Sequence, residues 1–329
     1  MSAMSNIVRH HGIRFADPLI YGLGEGYFFW YVDIAPDEAP PVLIGKNVFM
    51  EHRFCENVGA TLTIHEPITA DEVEDSYRRM ARGESTVIKC DPFFFKYIEW
   101  MDDEPLHFGE HVLIVVHIEG DTAYLADVFS DDIVGVPLDE LRQARASTDT
   151  IPFMQPRNRW YEFDFPESVD DLEGRVATSI TRTLEHMFDG QGGFGLNGLA
   201  RMRDAYTSRL RECWDKDRKQ FAEACFAGGC RILEGHCGAF NRGMLGRYLT
   251  VAAHMLQLPK LSNPVLEAQA IDAWKALGDM LIACAENAEH QDVDPQQYDD
   301  INSALDTAIE REKQLCQSIE HASKPFLSR

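Results

Sequence analysis

The twenty residues from Phe108 to Asp127, FGEHVLIVVHIEGDTAYLAD, constrain the fold more than any other stretch. The apolar run Val112 to Val116 has the length of a strand. Glu119-Gly120-Asp121 supplies a tight turn, and Thr122 to Ala126 returns as a second strand. His111 then stands at the mouth of the first strand and Asp127 at the end of the second, 16 residues later. A histidine held by a carboxylate on a rigid sheet is the base half of a nucleophilic triad. The rest of the chain is read as built around this pair.

Upstream, Ser2 to His11 reads as a short helix stopped by Gly12. Tyr21-Gly-Leu-Gly-Glu-Gly26 reads as a glycine turn leading into an aromatic strand, Tyr27 to Val32. That GxGxG neither follows a strand nor opens a helix, so it is not read as a dinucleotide site. A short strand (Val42 to Ile44), a helix (Val48 to Val58) and an extended segment (Thr61 to His65) follow. Thr69 with Glu72 forms a capping box that opens a helix to Arg82, ended by Gly83. Ser85 to Cys90 is a strand running into Asp91-Pro92. After the hairpin come a strand, Ile133 to Val136, and a helix, Leu138 to Ala146, opened by Pro137.

The proline-bearing stretch Thr148 to Pro166 is expected to be a linker. Beyond it the period becomes helical, in Ser168 to Phe188, Leu199 to Cys213, Asp215 to Ala227, Gly243 to Leu258, Pro264 to Asn287 and Pro295 to Ser318. The expected fold class is therefore α+β: an antiparallel-sheet domain over 1–147, a linker over 148–166 and an all-helical domain over 167–329.

The formal net charge of -23 argues against nucleic acid and against anionic membrane surfaces as partners. It suits a cationic small molecule or a basic patch on a partner. None of the eight cysteines forms a CxxC pair or zinc spacing, so they read as reduced thiols of a cytoplasmic protein. No signal peptide is visible, and no run approaches the roughly 18 apolar residues of a membrane span.

Three segments carry a family resemblance: NIVRHHG (Asn6 to Gly12), PLIYGLGEGYFFWY (Pro18 to Tyr31) and GEHVLIVVHIEGDTAYLAD (Gly109 to Asp127). They resemble the N-terminal domain family of butirosin-biosynthesis protein H. ACFAGGCRILEGHCGAFNRGMLGRYL (Ala224 to Leu249) and the pair Ala273-Trp274 are similar to the helical domain often fused behind it. The resemblance implies a papain-like fold related to the double-glycine bacteriocin-leader peptidases. It implies an acyltransferase of secondary metabolism, in which a cysteine takes an acyl group from an acyl carrier protein and passes it to an amine. The family's histidine and aspartate map onto His111 and Asp127. Its nucleophilic cysteine starts the first helix, where the helix dipole lowers a thiol pKa; here that place falls just upstream of Met1. A late start, a truncation and a degenerate homologue all fit this departure. No cofactor is implied, phosphopantetheine entering only as part of a carrier-bound substrate. The implied partners are the acyl carrier protein and a cationic acceptor, with a homo-oligomer left open.

Other residues compete for roles. Glu25 and Tyr27 flank the glycine turn that the resemblance puts beside the active-site helix, so they are expected to line the acceptor pocket. Arg242 either holds a phosphopantetheine or carboxylate bidentately or caps a helix. Cys237, beside His236, is an internal alternative nucleophile, and Ser2 is another if it becomes N-terminal. His107, Glu110 and His111 are the one zinc set worth naming, although no metal is expected. His117 shares the sheet face of His111 by spacing and reads as structural. Arg201, Arg203, Arg209 and Arg211 could form the basic patch that an acidic carrier needs. The same His–Asp pair also serves a cysteine peptidase or amide hydrolase, and without a thiol it fits a non-catalytic binder of a metabolite or partner protein.

Overall fold

The computed structural model of the protein describes residues 2–32, 42–98, 107–150, 152–216, 218–233, 239–290 and 295–327. The fold is α+β, with antiparallel sheets and a largely helical C-terminal part. The chain divides into two units, 1–17 with 59–168, and 18–58 with 169–329.

The first unit opens with α1 (Ser2–His10) and is built on a six-stranded sheet. Its spatial order is β3 (Thr61–His65), β8 (Trp160–Asp164), β4 (Thr86–Cys90), β5 (His111–Glu119), β6 (Thr122–Ala126) and β7 (Val134–Pro137). Every neighbouring pair is antiparallel. α4 (Ala70–Ala81) starts at the expected capping box: Thr69 Oγ1 accepts from the Glu72 amide, and the Glu72 carboxylate accepts from the Thr69 amide at 2.9 Å. This helix packs on β5, and α5 (Leu138–Ala146) packs on β4. Met80, Ile88, Leu113, Val115, Leu125 and Leu141 fill the core between them. At about 25 cal/mol per Å² of apolar surface, this burial is what holds the sheet's inner face in register.

The hairpin forms as its sequence pattern requires, with one change. Val115 pairs with Leu125 but His117 pairs with Tyr124, so Val116 is an extra residue on β5. A bulge of this kind reverses the alternation of side chains. His111, Leu113 and Val115 face inward, but after the bulge Ile118 does so and His117 does not. His117 instead stacks on Tyr124 at 4.3 Å. It therefore does not share the face of His111.

The stretch expected to be a linker contains β8, which pairs with both β3 and β4. Its alternating WYEFD was masked by the prolines around it; Tyr161 is buried opposite Val87 and Ile64. A strand paired on both edges is an interior part of a sheet, not a connection.

The second unit takes in residues expected in the N-terminal domain. α2 (Asp17–Leu23), a helix not anticipated from the sequence, takes up Tyr21 to Leu23 of the expected glycine turn and leaves Gly24 to Gly26 as the turn. At Gly22 a Cβ would come within 2.0 Å of the Tyr248 ring, so the glycine serves close packing. β1 (Tyr27–Val32) pairs with β2 (Val42–Lys46) in a separate two-stranded sheet. The reason lies in YFFWYV, which is apolar on both faces and buries both. Phe29 is fully buried between Phe240 and Trp274, ring centroids 5.6 and 6.4 Å away. α3 (Met50–Val58) completes this N-terminal contribution. The helices around it are α6 (Leu172–Asp189), α7 (Gly195–Lys216), α8 (Arg218–Leu233), α9 (Arg242–Met255), α10 (Pro264–His290) and α11 (Pro295–Leu327). α7 begins inside the expected glycine break, and α11 continues past the expected Ser318.

Candidate functional site

β5 begins at His111, and Asp127 follows the last residue of β6, so the hairpin itself brings the pair together. His111 Nε2 lies 2.7 Å from Asp127 Oδ1. The histidine side chain is 10% exposed and the carboxylate is fully shielded. Asp127 Oδ1 also accepts from the Val128 amide at 2.5 Å, and Oδ2 accepts from the Tyr97 hydroxyl at 2.5 Å. Phe129 stacks on the His111 ring at 5.0 Å and is 43% exposed. With Nε2 committed to the carboxylate, Nδ1 is the ring nitrogen left for a reacting group.

Burial alone would raise the Asp127 pKa. The hydrogen bond and charge of His111, then the Tyr97 hydroxyl and the Val128 amide, outweigh it and hold the carboxyl below its ordinary value. A folded pKa below the unfolded one gives stability that is complete above the ordinary carboxylate range and lost as pH falls through the lowered value. Asp127→Asn is therefore expected to flatten the acid limb of stability against pH in urea titrations. An unchanged limb would contradict this.

Tyr97 and Phe129 were not singled out in the sequence. The aromatic run Phe93 to Tyr97 was visible, but nothing in its spacing pointed to Asp127, 30 residues away. Burial, followed by the Asp127 charge, raises the Tyr97 hydroxyl pKa, so it stays a donor. Tyr97→Phe removes one charge-assisted hydrogen bond and is expected to cost about 1.5–3 kcal/mol. It also removes a cause that lowers the Asp127 pKa, so the Asp127 carboxyl is expected to titrate at higher pH. Carboxyl carbon chemical shifts measure this; an unmoved titration would show that Tyr97 only fills space.

A second buried carboxylate organises the entrance to β5. Asp91 accepts from the Phe93 and Phe108 amides, both at 3.2 Å, and binds His107 Nδ1 at 2.8 Å and Ser147 Oγ at 2.7 Å. These contacts and their neighbours also place the residues of the zinc set. His107 is turned to Asp91, Glu110 pairs with Lys89, and His111 belongs to Asp127. Among the described residues no group of three or more metal-binding side chains converges.

Cys90 is the described thiol of this unit, directly paired in register with His111. Its sulfur contacts the His111 carbonyl at 3.8 Å, not the ring. It is fully buried, and burial followed by the charges of Asp127 and Asp91 pushes its pKa well up. It has neither the access nor the ionisation of a nucleophile. Cys237 and His236 lie outside the described residues, as does the side chain of Ser2.

The remaining expected binding residues belong to the second unit. Tyr27 is 2% exposed; its hydroxyl meets Cys316 Sγ at 2.8 Å, and its ring lies under the Arg242 guanidinium at 4.6 Å. Arg242 is paired with Glu312 at 2.7 Å and donates to the carbonyls of Gly45, Phe240 and Phe28. Both are satisfied core residues with nothing to offer a ligand, which corrects their expected roles. Their types were legible; that the chain closes over them was not. Glu25 is buried too, but it faces Arg53, Arg182 and His186. Those basic groups already neutralise it, so it does not line a pocket for a cationic acceptor. Of the expected basic patch, Arg203 is bound to Asp306 at 2.5 Å.

The family described as butirosin biosynthesis protein H, N-terminal, matches residues 1–128. The family described as domain of unknown function (DUF4872) matches residues 139–319. No curated protein matches the chain.

Proposed function

Since the chain belongs to the butirosin biosynthesis protein H N-terminal family, with a domain of unknown function behind it, we propose that it catalyses acyl transfer from a carrier thioester to an amine in secondary metabolism. The observation that carries this is the buried pair His111–Asp127, with Nε2 held and Nδ1 left over. In this reading a thiolate attacks the thioester carbonyl, and the carrier leaves as its thiol, taking the proton that His111 holds. The amine then attacks the acyl-enzyme. His111 accepts the amine proton, and the enzyme thiolate leaves to complete the cycle. Asp127 keeps the imidazole in one tautomer and stabilises its protonated form. Phe129 covers one face of the ring. No cofactor is needed beyond the carrier's own arm, and an acyl carrier protein and a cationic acceptor are the proposed partners. Among the described residues no helix is long and apolar enough to cross a membrane.

Cys90 is excluded as the reacting thiol by its burial, so this reading needs a different cysteine. That same observation favours a second reading, a non-catalytic homologue that binds a metabolite or partner. Incubating the protein with an acyl thioester, followed by intact-protein mass spectrometry, separates them. The transfer reading expects a covalent acyl adduct on a cysteine other than Cys90, discharged by an added amine. No adduct would leave the binder, and discharge to water alone would indicate a hydrolase.

A further inference from the structure

His111 is the first residue of β5, and the β4–β5 pairing ends with it, opposite Cys90. Strand ends fray, since fewer neighbours hold them. The pair nevertheless depends on a 2.7 Å bond made from this end residue. Asp91, the residue after Cys90, takes over where the pairing stops. Its carboxylate is fully shielded. Oδ1 accepts from the amides of Phe93 and Phe108, both at 3.2 Å. Oδ2 accepts from His107 Nδ1 at 2.8 Å and from Ser147 Oγ at 2.7 Å. The Asp91 amide donates to the Ala144 carbonyl at 2.8 Å, which ties its own backbone to the last turn of α5.

These contacts hold two segments that lead to the pair. Phe108 lies shortly before His111 in the chain. Phe93 lies in a 3₁₀ turn, Pro92–Phe94, that leads on to Tyr97. Tyr97 in turn donates to Asp127 Oδ2 at 2.5 Å. One buried oxygen, Asp91 Oδ1, is thus the common root of the arm that carries His111 and the arm that holds its carboxylate partner. His107 joins the arms directly, its ring packed on Phe93 with centroids 4.1 Å apart. Lys89 ties down Glu110 as well, but that pair acts on the first arm alone. A buried carboxylate that accepts several hydrogen bonds is a stiff anchor, because losing any one donor leaves charge poorly solvated where water does not reach.

We propose that Asp91 is a positioning residue for the His111–Asp127 pair, setting the gap between imidazole and carboxylate by holding both segments that lead to them. It acts through those segments and takes no part in proton transfer. The proposal rests on the reading of that pair as the reacting one, but not on which acyl group or acceptor is used.

Proton NMR of the His111 ring in the full chain tests this. The Nε2 proton, bonded to a carboxylate and shielded, is expected to resonate far downfield and to exchange slowly with water. Asp91→Ala is expected to speed that exchange about ten-fold or more, the effect of losing a charge-assisted anchor. Asp91→Asn keeps an oxygen for the two amides and is expected to restore the slow exchange. Ser147→Ala removes a hydrogen bond from the same carboxylate but frees neither arm, so exchange is expected to stay within about two-fold of the unaltered protein. Should Asp91→Ala not fold, Asp91→Ser, whose short hydroxyl cannot serve both amides, replaces it in the comparison. Unchanged exchange in Asp91→Ala or its serine substitute would overturn the positioning alone, as would an equal increase in Ser147→Ala. Absence of any protected ring proton in the unaltered protein would overturn the pair itself and this proposal with it. None of these readings needs turnover, so a protein that forms no acyl adduct yet shows them loses the transfer reading and keeps the positioning.

Discussion

Glu312→Ala is expected to lower folding stability by about 3–5 kcal/mol, the cost of leaving a buried charge without its partner. Glu312 and Arg242 are both fully buried in the second unit, 2.7 Å apart. The Glu312 carboxylate also accepts from Trp274 Nε1 at 2.9 Å. Burial acts to lower the Arg242 pKa, but the Glu312 charge outweighs it, so the guanidinium stays charged and needs its counter-ion. Removing the carboxylate therefore strands one cation and one indole donor at once. Urea denaturation followed by circular dichroism gives the change. The paired variant Arg242→Met with Glu312→Leu is expected to be less damaging than Glu312→Ala alone, because it removes both charges together. A loss below about 1 kcal/mol, the range of exposed ion pairs, would show that water reaches the pair.

His111→Ala is expected to slow the proposed acyl transfer about 10²–10⁴-fold, the usual contribution of a positioned general base. The effect belongs mainly to the chemical step, so the rate of product formation falls more than the affinity for the thioester does. The fold is expected to survive, since His111 sits at the first position of β5, while Leu113 and Val115 anchor the strand. Asp127→Asn tests the carboxylate separately: it keeps the shape but no longer favours the imidazolium, and a smaller loss in the same direction is expected. Unchanged acyl transfer in His111→Ala would remove the pair from the mechanism and with it the transfer reading.

The His111–Asp127 contact was legible in the sequence because it is local. A hairpin of this length returns the chain to its starting edge, and a tight turn fixes which ends meet. The α4 capping box was legible for the same reason, since Thr69 and Glu72 are one helical turn apart. The bulge at Val116 was not. It depends on how β5 settles against β6 over a packed core, and the apolar run has no residue type that marks it. Tyr97 and Asp91 escaped notice because their partners are brought together by the sheet rather than by spacing.

The largest departures concern which unit each segment joins. Residues 18–58 precede the six-stranded sheet in sequence but bury β1 among helices more than 150 residues downstream, as Phe29 does against Trp274. β8 was hidden inside a proline-bearing stretch, yet it holds β3 to β4. By itself the sequence determined most of the element types, though neither α2 nor β8, together with the helical C-terminal half and the His–Asp hairpin, all of which follow from periodicity, turn chemistry and local spacing. Tertiary structure alone decided that Tyr27 and Arg242 are core, that Glu25 lies beneath cations and that Cys90 is sealed in beside His111. Burial and long-range pairing set the ionisation and access of those groups, and neither is encoded in any window of neighbouring residues.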